Sequence, residues 1–147
     1  VIDTIVPHFK ECAEYAEEKD VYMGFENHGG GISGNPEACA ELSKKVGSKF
    51  FGVLYEPCNL MHSGVDYKEA FTYFSQYVTH VHIKDGIPRE GKFQRAKLGE
   101  GIIDIKWVVE SLNKVGYEGD FALEYEISDI EPIETGLKKW LEYYKNL

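Results

Sequence analysis

Four ionisable residues stand at the ends of four apolar runs. They are Glu26 in Phe25-Glu26-Asn27-His28-Gly29-Gly30, Glu56 in Val53-Leu54-Tyr55-Glu56-Pro57, His82 in His80-Val81-His82-Ile83-Lys84-Asp85, and Glu124 in Phe121-Ala122-Leu123-Glu124-Tyr125. Each is followed by loop residues and then by a helical pattern. Three carboxylates and one imidazole brought to one point form the ligand set of a divalent metal ion, and manganese, magnesium, zinc and cobalt all accept such donors. The chemistry depends on convergence, and convergence depends on the fold. In a parallel α/β sheet the strand ends share one rim, where these folds place their sites.

The elements that must position these residues read as one helix, then strand and helix four times over. Residues 3–19 put Ile5, Phe9, Cys12, Ala13 and Ala16 on one helical face. A strand is predicted over Val21–Glu26. Asn35-Pro36-Glu37 opens a helix that stops near Gly47. A second strand spans Phe50–Tyr55, and a polar loop leads to Asp66 as the next cap, with Ala70, Phe71, Phe74 and Tyr77 as the apolar stripe. A third strand spans Val78–Ile83. Lys84–Ile103 reads as a long loop rich in glycine and charge, and loops of that length are usually functional or disordered. Asp104 caps a helix with Ile105, Val108, Val109, Leu112 and Val115 inward and Gly116 as its stop. The last strand is Phe121–Tyr125, and Pro132 opens a helix with Ile133, Leu137, Trp140, Leu141 and Tyr144 on its face.

Strands alternating with helices imply an α/β fold with a parallel sheet and right-handed crossovers. The near-continuous apolar strands are those of a sheet covered on both faces. Four βα units are half of a (βα)8 TIM barrel, which needs ~250 residues. The expectation is a single domain over residues 1–147, a (βα)4 half barrel preceded by one helix. Its edges, Val21–Glu26 and Phe121–Tyr125, are open, and only closure removes both. A homodimer is therefore expected, either closing an eight-stranded barrel from two copies or burying the same faces without closing it.

Composition bounds the partners. The hydrophobic fraction of 43% and aromatic fraction of 14% are those of a globular chain. A net charge of -9 argues against nucleic acid, which calls for clustered lysine and arginine. Cys12, Cys39 and Cys58 form no Cys-x-x-Cys pair, which suggests reduced thiols in a cytoplasmic protein. No apolar run approaches the roughly 20 residues of a membrane span, and no signal peptide is recognisable. The first residue is not Met, and a longer parent protein is one reading of that.

Gly24-Phe25-Glu26-Asn27-His28, Leu54-Tyr55-Glu56-Pro57-Cys58-Asn59-Leu60, His80-Val81-His82-Ile83-Lys84-Asp85 and Leu98-Gly99-Glu100-Gly101-Ile102-Ile103-Asp104 occur in this order, followed by Gly116-Tyr117-Glu118-Gly119 and Glu124. Together they resemble the C-terminal half of the xylose-isomerase-like sugar phosphate isomerase/epimerase barrels. The resemblance covers essentially all of the chain and leaves out the family's first four strands. It implies one divalent metal held by Glu26, Glu56, His82 and Glu124, with Glu26 and Glu124 also serving as the acid and base that move a proton beside a substrate carbonyl. Glu56 stands where the family has Asp, and the extra methylene displaces its carboxylate by roughly 1.5 Å, against a tolerance of about 0.2 Å in metal distances.

Around this set, His28, Asn59, Lys84 and Arg89 are candidate contacts to a sugar substrate, and Lys97 shares the long loop. His80, two residues before His82, points the same way and reads as a hydrogen-bonded core residue; His62 reads as plain loop. The function implied is a metal-dependent isomerase or epimerase of a sugar or sugar phosphate. One rival is a half barrel that folds and oligomerises without turnover. Another is an apurinic-endonuclease-like phosphodiesterase. That pattern calls for histidine where Asn59 stands and for Asp-x-His where Arg95-Ala96-Lys97 stands, and both are missing.

Overall fold

A computed structural model describes residues 1–147. The chain runs α1 (Ile2–Glu18), β1 (Met23–Glu26), α2 (Pro36–Val46), β2 (Phe51–Tyr55), α3 (Pro57–His62), α4 (Tyr67–Phe74), a 3-10 turn, β3 (Val78–Ile83), β4 (Asp85–Arg89), β5 (Lys92–Ala96), α5 (Ile105–Lys114), β6 (Phe121–Leu123) and α6 (Ile133–Lys145). The main sheet is parallel throughout, in the order β1-β2-β3-β6, with β1 and β6 at its edges as the sequence predicts.

Local chemistry explains the boundaries. The Asn35 side chain accepts a hydrogen bond from Ala38 N at 3.0 Å, Pro36 takes the first turn of α2, and Gly47 ends it with φ 71°. Asp66 caps α4 through Lys68 N and Glu69 N, and Asp104 caps α5 through Trp107 N. Alternation then sorts the strands. Val53, Tyr55, Val81 and Ile83 are fully buried beneath the helices with Phe74, Val108, Leu112 and Trp140, while His80 and His82 on the other face of β3 are half-buried. No helix is long and apolar enough to cross a membrane.

The sheet is strongly curved. Glu26 ends one outermost strand and Glu124 directly follows the other; in a flat sheet those strands would lie about 14 Å apart, three strand spacings. Their carboxylates instead come within 4.8 Å of each other and of His82. A bulge at Val53/Leu54 against β3 adds twist at the centre. Gly52 permits it, because a Cβ there would overlap the Tyr77 carbonyl.

Four features differ from the sequence reading. The 84–103 loop contains the antiparallel hairpin β4–β5, paired from Asp85↔Ala96 to Arg89↔Lys92. Glu90 (φ 52°) and Gly91 (φ 72°) form its turn, the positive-φ pair that two-residue hairpins favour; Gly86, Pro88 and the charges conceal its alternation. Pro57–His62 is a short helix rather than loop, because Glu56 caps it and Pro57 suits its first turn. On α6 only Trp140 of the expected stripe is buried, with Ile133 and Leu141 exposed. Val115, expected inward on α5, lies just past the end of that helix and is exposed.

Candidate metal centre

Glu26 closes β1, His82 sits one residue from the end of β3, and Glu124 follows β6 directly. His82 Nδ1 lies 3.5 Å from Glu26 Oε1 and 3.4 Å from Glu124 Oε2. Both His82 Nδ1 and Glu124 Oε2 are buried without a hydrogen-bond partner. Buried polar atoms are rarely left so, and two such atoms aimed at one point are satisfied by a cation between them. One imidazole and two carboxylates within 4.8 Å suit a divalent ion in donor type and spacing. The third member is held in place by Asn59, whose Nδ2 donates to Glu26 Oε1 at 3.0 Å and to Asn27 O at 3.3 Å.

Glu56 stands outside this triad, a correction to the four-ligand expectation. Its carboxylate folds back onto the start of α3, accepting hydrogen bonds from Cys58 N at 2.9 Å and from Asn59 N. The orphan N–H groups at the start of α3 hold the carboxyl there, and the helix N-terminus favours negative charge. Asn27, which sequence reasoning passed over, pins the Glu56 backbone by donating to its carbonyl at 2.7 Å and accepting from its N–H at 2.8 Å. Glu56 is fully buried, and burial pushes its carboxyl up to about 8 against the opposing pull of Lys84 and the α3 N–H groups.

Lys84 is the cation of this region. Its Nζ lies 2.7 Å from Glu124 Oε2, 2.9 Å from Glu126 Oε2 and 3.6 Å from Glu56 Oε2. The approach to Glu124 is an ion pair off the direction of a hydrogen bond, so that oxygen still lacks a donor. Burial alone would depress the ammonium, but Glu56, Glu124 and Glu126 together hold it above the ordinary lysine value. The hydrogen bond from Lys84 in turn lowers Glu126. Glu126 is absent from the sequence-based set; its spacing of two from Glu124 is the signal that could have found it.

Above the triad lies a cavity of about 990 Å³, and the four residues read as substrate contacts, His28, Asn59, Lys84 and Arg89, all line it together with Glu26 and Glu124. The β4–β5 hairpin forms one wall through Phe93, whose ring stacks on His62 at 6.1 Å, so His62 belongs to the wall and not to a plain loop. Arg95 ties the hairpin to the segment after β6 by donating to the Glu126 carbonyl. The His80 side chain makes no protein hydrogen bond and packs edge-on to His82 at 5.4 Å, contrary to its reading as a bonded core residue, because the inner sheet face is only partly covered. Burial, then His82, lowers its affinity for a proton.

Comparison with known proteins follows the same lines. The chain is 28% identical to the inosose dehydratase of Geobacillus thermodenitrificans over 92% of its own length and 51% of the dehydratase. It spans about half the length of the curated relatives it matches. The crystal structure of a xylose isomerase domain protein from Planctomyces limnophilus matches 98% of the chain and 52% of that protein, with a TM-score of 0.81 at 20% identity. A xylose isomerase-like TIM barrel protein from Mycobacterium smegmatis, solved in complex with magnesium, matches 97% of the chain and 48% of its own, with a TM-score of 0.81 at 18% identity. The half-barrel sheet, the strand-end triad and a family match running from residue 1 to residue 147 agree, and the chain belongs to the xylose isomerase-like TIM barrel family.

Proposed function

We propose that this chain carries the catalytic half of a metal-dependent isomerase or epimerase acting on a sugar or sugar phosphate by proton transfer at a carbon next to a carbonyl. The observation that supports it most is the meeting of Glu26 and Glu124, from opposite edges of one curved sheet, on either side of His82. A divalent ion held by Glu26, His82 and Glu124 supplies Lewis acidity toward a carbonyl oxygen; its identity as Mn, Mg, Zn or Co is set by availability as much as by these donors. Glu26 and Glu124 approach from two sides, so one can take a proton and the other return it. Asn59 fixes the first carboxylate and Lys84 the second. The cavity has room for a six-carbon sugar, with Arg89 and His28 placed to meet hydroxyl or acid groups.

A dehydratase reading shares the first step. Removing water beside a carbonyl also begins with loss of the neighbouring proton, and one curated relative is an inosose dehydratase. Incubation with a ketose panel and added Mn²⁺ in deuterated water separates the outcomes. Isomerase chemistry incorporates solvent deuterium, dehydration forms an unsaturated ketone, and Glu124→Gln abolishes either while the fold survives. No exchange and no unsaturated product in the unmutated chain sinks both and favours a half barrel without turnover.

The assembly we propose is a homodimer. β1 and β6 leave unpaired edges, flanked by exposed Tyr15, Val21 and Tyr22 at one end and exposed Ile133 and Leu141 at the other. A two-fold axis along the strands would pair each β1 with the partner's β6 in parallel and leave no edge. A monodisperse monomer by light scattering at high concentration refutes it.

A further inference from the structure

The cluster around Lys84 carries more than its partners' burial requires. Four carboxyl groups, those of Glu26, Glu56, Glu124 and Glu126, gather around the rim, and Lys84 is the lysine set among them. Its side chain is only 8% exposed. It contacts the very oxygen, Glu124 Oε2, that faces His82 in the triad. It also lies 3.6 Å from Glu56 Oε2, the oxygen that accepts from Asn59 N, so the Glu56 carboxyl group has an ammonium beside it as well as a helix start.

We infer that Lys84 is a built-in counter-cation that competes with the divalent ion for Glu124 and helps keep Glu56 out of the ligand shell. The inference rests on the metal-centre reading above and adds what sets the affinity of that centre. An ammonium on a ligand oxygen lowers the negative potential that draws a cation and repels the cation itself. It also holds Glu124 and Glu126 together when no ion is bound, since without it their mutual repulsion would spread them. The cavity is then preformed, at the cost of weaker metal binding. Removing the charge frees Glu124 Oε2 and releases one of the two grips on Glu56.

The test is calorimetric titration of the folded full chain with Mn²⁺ at neutral pH, on the unmutated protein and on Lys84→Gln, Lys84→Met, Lys97→Met and Glu124→Gln. The expected result is a single site in the unmutated chain that Lys84→Gln and Lys84→Met tighten by about tenfold or more, a change that one close charge can bring. Lys97→Met removes a lysine that lines the same cavity but pairs with Glu100, and it changes affinity by less than about threefold because an exposed charge is screened. Glu124→Gln loses the site. Binding in the unmutated chain with affinity unchanged or weakened by Lys84→Gln overturns the competition and leaves the metal centre standing. Absence of binding in both the unmutated chain and Lys84→Gln overturns the two together. Should neither Lys84 variant fold, the ¹³Cε resonance of Lys84 in the unmutated chain decides. It moves on Zn²⁺ addition if the ammonium must yield Glu124, and a resonance unmoved by saturating Zn²⁺ overturns the inference.

Discussion

Asp85 and Glu124 are carboxylates on the same rim, and they answer burial in opposite ways. Asp85 is 1% exposed, and its two oxygens accept four backbone hydrogen bonds, from Gly86 N (2.8 Å), Gly99 N (3.0 Å), Gly101 N (2.9 Å) and Ile103 N (3.1 Å). Glu124 Oε2 is buried and accepts none. A carboxylate has about four lone-pair sites. Asp85 has filled them, so it has nothing left to offer a ligand, and it serves to close the 85–103 excursion and pin the hairpin over the cavity. Glu124 keeps acceptor capacity where His82 and Glu26 do the same. Saturation separates a structural carboxylate from one available for chemistry, although both precede or follow a strand end and look alike as letters.

Breaking the saturated member should have the largest effect. Asp85→Ala leaves four backbone donors without their acceptor and is expected to lower stability by about 3 kcal/mol or more in urea unfolding. A loss below about 1 kcal/mol would mean that the loop is held by something else. Glu56 comes next, because it is the intermediate case, buried and bonded but not ionised with ease. Folded, it keeps its proton to about 8, while its ordinary value is 4.5. Between those values the folded chain binds more protons than the unfolded one, so its contribution is complete below the lower value and is lost as pH rises through the upper. Stability is expected to fall by about 3 kcal/mol from pH 5 to pH 8 on this account, and Glu56→Gln to flatten that slope. A slope equal in both proteins assigns the dependence elsewhere.

Breaking the unsaturated member should cost function rather than fold. Glu124→Gln is expected to weaken metal binding by at least about tenfold, given what loss of even an indirect partner does, with stability changed by less than about 1 kcal/mol. A variant that unfolds instead would place Glu124 with Asp85. The smallest effect belongs to Arg89, which lines the cavity with no carboxylate partner. Arg89→Ala should leave stability within about 0.5 kcal/mol and raise KM for an acidic substrate only. An unchanged KM removes Arg89 from the substrate contacts.

Legibility in the sequence followed the range of the interactions. Asn35, Gly47, Asp66 and Asp104 mark helix ends through bonds to backbone two to four residues away, so both ends of α2 and the starts of α4 and α5 could be read within a residue or two. The β4–β5 hairpin escaped because its alternation is broken by Gly86 and Pro88. Asn27 escaped because its partner, the Glu56 backbone, is 29 residues away. Exposure on α6 was misread because a helix whose apolar stripe has no neighbour on one side still carries the pattern, as Ile133 and Leu141 show.

By itself the sequence determined the parallel α/β order, its four rim positions and the side on which they fall, since a strand's alternation and a helix's caps are written locally. Tertiary structure alone decided which of the four converge. Curvature brings the two edge strands together, so Glu26, His82 and Glu124 share a point. A nearby helix start holds Glu56 away from it, and Lys84 lies between Glu56 and Glu124. Those outcomes depend on distances of a few ångströms between segments far apart in the chain, and no local pattern encodes them.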